Sequence, residues 1–525
     1  MEQEAALPPF LPLQLLFLLL ALLLLVLLRG LAADLRRAAE APGCRGPPSY
    51  PVIGCLVSFY RNRRRLLGWY TELLARSPTQ TIVVRRLGAR RTVVTASPEN
   101  VEHILRTNFH NFPKGKPFTE ILGDFLGRGI FNVDGELWRS QRKLASHEFS
   151  VRSLRDYAAM TLKEVVDGRL MPVLESLSVE GRTVDLQELL KRLSFNMICR
   201  VSLGTEVCSL EPSQPGSPLA RAFDISSAIC ARRGAAPVSA IWRIKRRLGV
   251  GSERELKRAV DEVHASIGRL IRDRAERIFE TGDRCSSSQS DLLSRLATAG
   301  YGEEVIRDTV ISFIMAGRDT TSAAMTWLFW MLSRSQEAER ELIREVDSAA
   351  AELDYDSLKE LKFLTACLCE VMRLYPPVAW DSKHAVGDDV LPDGTPVRAG
   401  DRVTYFPYGM GRMEAIWGTD RFEFKPGRWF EGPPDGKPRG ELKKVCPYRF
   451  PVFQAGPRDC IGKEMAFMQM KYVVASVMRR FEIRPVDRGD RVFVPLLTAH
   501  MAGGLPVQIR KRERPIAAPA TSQWL

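Results

Sequence analysis

Among the ten cysteines of this 525-residue chain there is no C-x-x-C pair, so the usual spacing of a structural zinc site is missing. Ten are also far too few for a disulfide scaffold at this length. No segment of roughly 20–50 residues repeats, which argues against a solenoid. No G-x-G-x-x-G stands on a βαβ pattern and no flavin motif occurs, so electrons for any redox step come from outside. Acidic residues do not balance basic ones: 62 Asp and Glu face 76 Lys and Arg, a net charge of +14. That excess suits an anionic partner, whether nucleic acid, membrane surface or acidic protein. The basic residues are scattered and follow no groove-binding motif, which argues against nucleic acid. With 45% hydrophobic and 26% charged residues the chain is neither disordered nor fibrous.

Long apolar runs are equally scarce. One exists, uncharged from Phe10 to Leu28 and unbroken from Leu15 to Leu28, and as a helix it would rise ~28 Å, close to a bilayer's hydrocarbon thickness. Glu2 and Glu4 precede it, and Arg29, Arg36 and Arg37 follow. A cleaved signal peptide has the opposite polarity, so a retained single-pass anchor with a cytosolic body is expected. The division expected is an anchor over residues 1–30, then a linker over 31–52 ending in the stiff hinge Gly46-Pro47-Pro48-Ser49-Tyr50-Pro51. One large body over 53–510 and a flexible tail over 511–525 come next, rather than the three or four domains that about 150 residues each would give. The basic cluster Arg61, Arg63, Arg64 and Arg65 suits lipid headgroups or a solvated helix face equally well.

Thr81–Arg86 and Arg91–Thr95 read as a hairpin, and Ser97-Pro98 as the cap of a helix reaching Leu105. A mainly helical stretch runs to about residue 345, interrupted at Glu211–Pro218 and Thr281–Ser290. A second hairpin is signalled by Leu391-Pro392-Asp393-Gly394 with a strand over Val397–Phe406, and a third by Gly503-Gly504. The fold class expected is mainly α with small β-sheets.

The most specific segment is Phe453-Gln454-Ala455-Gly456-Pro457-Arg458-Asp459-Cys460-Ile461-Gly462, a loop leading into a helix from Lys463. A cysteine at such a junction meets the positive helix end and free amides, which favour thiolate. Gly456 and Gly462 remove side chains where backbone would approach a flat macrocycle. Phe453 would cover the sulfur, and Arg458 could pair a propionate. A long helix over Asp308–Ser333 carries Ala316-Gly317-Arg318-Asp319-Thr320-Thr321 at its centre. A threonine hydroxyl can divert the carbonyl four residues back, and with Gly317 this would open a groove.

Phe453–Gly462 matches the F-x-x-G-x-R-x-C-x-G haem signature, and the chain so resembles the cytochrome P-450 superfamily. The resemblance implies the cytochrome P-450 fold and, as cofactor, haem b with its iron ligated by Cys460. By the same resemblance Thr320 would hydrogen-bond dioxygen in the haem pocket, and Asp319 would relay protons from solvent. Glu370 and Arg373, as E-x-x-R, would form a buried structural triad with Arg428. Trp138 and Arg142, as W-x-x-x-R, would address haem propionates together with Lys383 or His384. Ala316 stands where some relatives carry a Glu that esterifies the haem, which implies a non-covalent haem here. The partner would be the microsomal NADPH–cytochrome P-450 reductase, docking on Lys143, Lys443, Lys444, Lys463 and Lys471, and the location the endoplasmic reticulum membrane.

Asn132-Val133-Asp134-Gly135, Trp380–Ala385 and Tyr408–Met413 are similar to the plant ω-hydroxylase clan. Asn108–Lys116 and Thr498–Met501 resemble its jasmonoyl-isoleucine hydroxylase branch. The activity implied is ω-hydroxylation of a carboxylate-bearing aliphatic substrate, namely 12-hydroxylation of jasmonoyl-isoleucine in jasmonate turnover. Alternatives are a general fatty-acid ω-hydroxylase and, in another class, a haem-thiolate hydroperoxide isomerase or dehydratase. Candidates for the pocket wall are Phe112, Ile130, Phe313, Ile314, Ala316, Val378, Ala379, Leu497 and Thr498. Lys114, Lys116 and Arg128 are candidates for holding the substrate carboxylate.

Overall fold

β-Branched residues over Thr81–Val84 and Thr92–Thr95 pair antiparallel, from Thr81 opposite Thr95 to Val84 opposite Thr92. This is the hairpin expected from sequence. A computed structural model describes residues 46–513 apart from 52, 151, 237, 282–291, 299–300, 351 and 433–439, together with scattered positions between 17 and 32. Its main sheet adds Arg402–Tyr405, parallel to Thr92–Thr95, and then Asp381–His384, antiparallel at the far edge.

Ser97 caps the next helix as expected, its Oγ accepting the Asn100 amide at 3.2 Å. The α-helix ends at Glu102, and His103–Thr107 continues as a π turn. Val397–Phe406 is not one strand. Pro396–Val397 pairs with Asp389–Val390, Gly400 turns the chain at φ +83°, and Arg402–Tyr405 joins the main sheet. Gly503-Gly504 is not a hairpin tip either. His500–Met501 before it pairs with Phe493–Val494, whereas Pro506–Lys511 after it pairs with Phe481–Pro485 and Val184–Asp185. The glycines pass the chain between two sheets, and a Cβ on Gly504 would come within 2.1 Å of the Asp185 carboxylate.

Helices make up most of the remainder. The central helix, Glu303–Arg334, is the longest among the described residues and packs along Leu186–Leu203. Lys362–Leu374 and Lys463–Arg480 both pack against it. Two apolar clusters bear on the site. One holds Phe313, Ile314 and, at its edge, Ile461; the other holds Phe112, Ala379 and Ala455. Among the described residues no helix is long and apolar enough to cross a membrane. The expected anchor over residues 1–30 lies largely outside the described residues, as does the interruption expected over Thr281–Ser290. Phe17, Leu18, Leu22, Leu24, Leu25 and Leu28 are described, and they are helical and exposed.

Candidate functional site

The cysteine loop is built on backbone conformation. Gly456 has φ +69°, and a Cβ there would stand 2.2 Å from the Leu105 carbonyl oxygen, so only glycine fits. Gln454 has φ +62° and ψ −173°, a region nearly confined to glycine; such a conformation costs of order 1–3 kcal/mol and needs surroundings that enforce it. The loop closes where the Cys460 amide donates to the Phe453 carbonyl at 2.8 Å. Phe453 then packs on Phe467 of the following helix, ring centres 5.3 Å apart.

Cys460 is exposed, whereas Cys55, Cys199, Cys230 and Cys367 are buried. Its thiol is nevertheless crowded by protein, which pushes its pKa up against the opposing pull of the Gly462 amide and Arg142. Burial of the sulfur thus opposes the pull toward thiolate expected at the helix junction.

Cations surround the loop. Arg142 donates to the Asp459 carbonyl at 2.6 Å and pairs with the Asp459 carboxylate. Arg458 lies 4.4 Å over the Trp138 ring and donates to Asp134 at 2.7 Å and to the Val133 carbonyl at 2.9 Å. Lys383 is buried and donates to Asp381 at 2.8 Å. His384 meets the Lys114 carbonyl through Nδ1 at 2.6 Å. A carbonyl only accepts, so Nδ1 carries the proton, and the buried, unpartnered Nε2 is a bare acceptor. Burial holds the imidazole neutral, pushing its pKa down to about 4. Of the two residues, Lys383 therefore has donors to offer a propionate.

Sequence reasoning gave no role to the polar groups behind these cations. Asp381 accepts from Lys114 at 2.6 Å, Lys383 at 2.8 Å and the Tyr405 hydroxyl at 3.0 Å. Burial alone would raise its pKa, but the two ammonium groups outweigh it and hold the carboxyl well below its usual range. The Tyr405 hydroxyl also contacts the side-chain amide of Gln454. Asp134 accepts the amides of Lys114 and Gly115 at 3.0 and 2.9 Å besides pairing Arg458. Asp134 and Asp381 lie in two of the stretches similar to the ω-hydroxylase clan, but single carboxylates there give no signal of their distant partners.

In the central helix Thr320 donates to the Ala316 carbonyl at 2.7 Å, the diversion expected from sequence. Gly317 serves packing rather than a groove, since a Cβ on it would lie 2.9 Å from Ile198. Asp319 is half-buried, and its Oδ1 has no hydrogen bond; Arg318 Nε lies 3.6 Å away. Arg318 is instead drawn to Asp224 at 2.8 Å, and Lys191 reaches the same carboxylate at 2.8 Å.

The triad forms as expected. Glu370 is fully buried and accepts from Arg373 twice at 2.8 Å, Arg428 at 2.8 Å, the Lys425 amide at 2.9 Å and Trp429 Nε1 at 3.0 Å.

The candidates for the pocket wall separate. Ile130, Phe313, Ile314 and Leu497 share a cluster with Ile461, the neighbour of Cys460, and Ile130 and Phe313 line a small cavity with Leu144, Ala145 and Thr309. Ala316, Val378 and Thr498 are partly exposed. Phe112 is 1% exposed and Ile314 0%, so both fill core rather than present an open wall. Lys114 is likewise corrected as a carboxylate holder, because it is buried on Asp381. Lys116 and Arg128 remain exposed. Lys143, Lys443, Lys444 and Lys463 are exposed, but Lys471 is buried and donates to the Leu358 carbonyl at 2.9 Å, which removes it from any docking face.

The Cytochrome P450 family model matches residues 44–499. Cytochrome P450 94B1 of Arabidopsis thaliana is 58% identical over 91% of this chain and 93% of its own length. Cytochrome P450 94B3 of the same plant is 58% identical over 94% and 97%. Cytochrome P450 94A2 of Vicia sativa is 45% identical over 89% and 91%. The family uses haem b on a cysteine thiolate, with electrons drawn from NADPH through a reductase, and the haem supplies the iron at which dioxygen is activated. The residues present fit that group: a cysteine on an exposed loop, a cradle that a Cβ at Gly456 would disrupt, and flanking cations. A cysteine loop whose path only glycine at position 456 allows, a complete Glu370 triad and a family match over most of the chain place this protein in the cytochrome P450 family of haem-thiolate monooxygenases.

Proposed function

We propose that the chain hydroxylates the terminal carbon of a carboxylate-bearing aliphatic substrate, jasmonoyl-isoleucine being the substrate we favour. The observation that carries this reading is that Ile130, Phe313 and Leu497 fall in the same apolar cluster as Ile461, the neighbour of the cysteine, and in this reading they form one wall. Such a wall holds an aliphatic chain and orients its end, which is catalysis by positioning. The two stretches resembling the jasmonoyl-isoleucine branch each hydrogen-bond to the chain between Pro377 and His384. Pro113 accepts the His384 amide at 3.0 Å, and the Ala499 amide donates to Pro377 at 2.8 Å. Lys116 and Arg128 are the cations free to meet a substrate carboxylate at the entrance. In this reading Thr320 and Asp319 handle dioxygen and protons, and Trp138, Arg142, Arg458 and Lys383 address the propionates.

An anchor over residues 1–30 would hold the body on the cytosolic face of the endoplasmic reticulum. Ile241, Ile244 and Leu248, more than half exposed on a helix that also carries Lys245 and Arg247, suit that lipid surface. Lys143, Lys443, Lys444 and Lys463 offer the reductase a basic face.

Reductase-supported turnover of jasmonoyl-isoleucine against laurate tests the substrate, with Cys460→Ser as blank. Hydroxylation of jasmonoyl-isoleucine in preference is expected. Turnover of laurate alone would move the reading to a fatty-acid ω-hydroxylase, and turnover of a fatty-acid hydroperoxide without NADPH would overturn the monooxygenase step.

A further inference from the structure

Gln454 and Gln80 are the described non-glycine residues with positive φ, and Gln454 stands inside the cysteine loop. Its turn comes immediately after Phe453, whose carbonyl receives the Cys460 amide at 2.8 Å. The same turn sends the chain into buried Ala455 and then Gly456, which has no room for a side chain. The path of the loop up to Cys460 therefore passes through one unfavourable residue, and something must enforce it.

The side chain of Gln454 supplies a hold. Its amide meets the Tyr405 hydroxyl, on a tyrosine that is fully buried in the main sheet. That hydroxyl also contacts Asp381 at 3.0 Å, and Asp381 is fixed by Lys114 at 2.6 Å and Lys383 at 2.8 Å. A phenol has one proton and a carboxylate only accepts. The Gln454 atom at the phenol is Oε1, so the one phenol proton serves both Gln454 Oε1 and the Asp381 carboxylate and ties the two together. The row runs from the loop at Lys114, through the sheet, to the loop that carries the cysteine.

We propose that Gln454, Tyr405 and Asp381 are positioning residues, a bracket that holds the cysteine loop in the strained path presenting Cys460 to the haem. This rests on the haem-thiolate reading of Cys460. A polar network that merely stabilised the sheet would not distinguish the backbone of Gln454 from its side chain; the bracket does. Glycine adopts the left-handed path freely, whereas alanine keeps the strain and loses the hold.

The test uses the full-length holoprotein and two readouts, the absorption spectrum of the reduced carbonyl complex and the ferric–ferrous reduction potential. Gln454→Ala and Tyr405→Phe are expected to raise severalfold the fraction of carbonyl complex with a thiol-type rather than thiolate-type Soret band, and to shift the potential. Gln454→Gly is expected to stay close to the parent in both. Parent-like spectra and potentials in Gln454→Ala and Tyr405→Phe would overturn the bracket. So would a Gln454→Gly protein as impaired as Gln454→Ala, because the backbone would then not be what is held. Should Tyr405→Phe fail to fold, the Ala and Gly variants at part-exposed Gln454 still decide. A parent protein that binds haem but shows no thiolate-type band would refute the reading of Cys460 itself, an outcome distinct from failure of the bracket.

Discussion

Glu370 and Asp319 are both carboxylates on helices that pack together beside the cysteine loop, yet they are built in opposite ways. Glu370 is fully buried and takes five hydrogen bonds, four from side chains and one from a backbone amide. Asp319 is half-buried with one oxygen lacking any hydrogen bond, and its neighbouring cation Arg318 is held by Asp224 instead. A carboxylate saturated with donors is a structural joint, because any change of protonation breaks several bonds at once. One left short of donors can exchange protons at small structural cost. The contrast supports the proposed division, in which the Glu370 region holds shape and the Asp319 region is open for chemistry.

The sharpest way to break the comparison is Glu370→Ala. Fully buried Arg373 loses its carboxylate partner and Arg428 keeps only Asp420, and removing one partner of a buried pair costs roughly 3–5 kcal/mol. Denaturant unfolding and haem absorbance should show that loss with little bound haem; a stable, haem-replete variant would contradict the joint.

Next in size is an acid effect centred on His384. Its folded pKa, about 4, lies below the ordinary 6.5, so the unfolded chain binds the proton first. Stability is full above pH 6.5 and falls as pH drops toward 4. The loss attributable to this group approaches about 3 kcal/mol. Unfolding followed across that window should flatten in His384→Gln, and an unchanged slope would remove the histidine from the account.

Smaller again is Gly317→Ala. Its Cβ would meet Ile198 at 2.9 Å, and overpacking of this kind costs about 1–3 kcal/mol. Adding Ile198→Ala should restore stability. If the single variant is as stable as the parent, the glycine is not there for packing.

Much of this was legible in sequence where neighbours along the chain make the structure. The Ser97 cap, the hairpin over Thr81–Thr95, the central helix, the cysteine loop and the i,i+3 spacing of Glu370 and Arg373 are all local. What was missed is non-local. Asp381, Tyr405 and Gln454 meet from a sheet edge, an inner strand and a loop, and one polar residue per strand leaves no periodic trace. Nothing in sequence marks Lys471 as buried, because its partner, the Leu358 carbonyl, has no side-chain signature. Phe112 looked like a pocket wall by composition, but apolar wall and apolar core have the same composition, and only packing separates them.

The proposed division between a structural Glu370 and a proton-handling Asp319 meets its decisive test in the Asp319→Asn holoprotein, through the share of NADPH electrons recovered in hydroxylated product. The account predicts haem content and unfolding stability equal to the parent, with a severalfold lower product share and the missing electrons recovered as peroxide. Loss of haem or fold on the scale of Glu370→Ala, or a product share equal to the parent's, would contradict it.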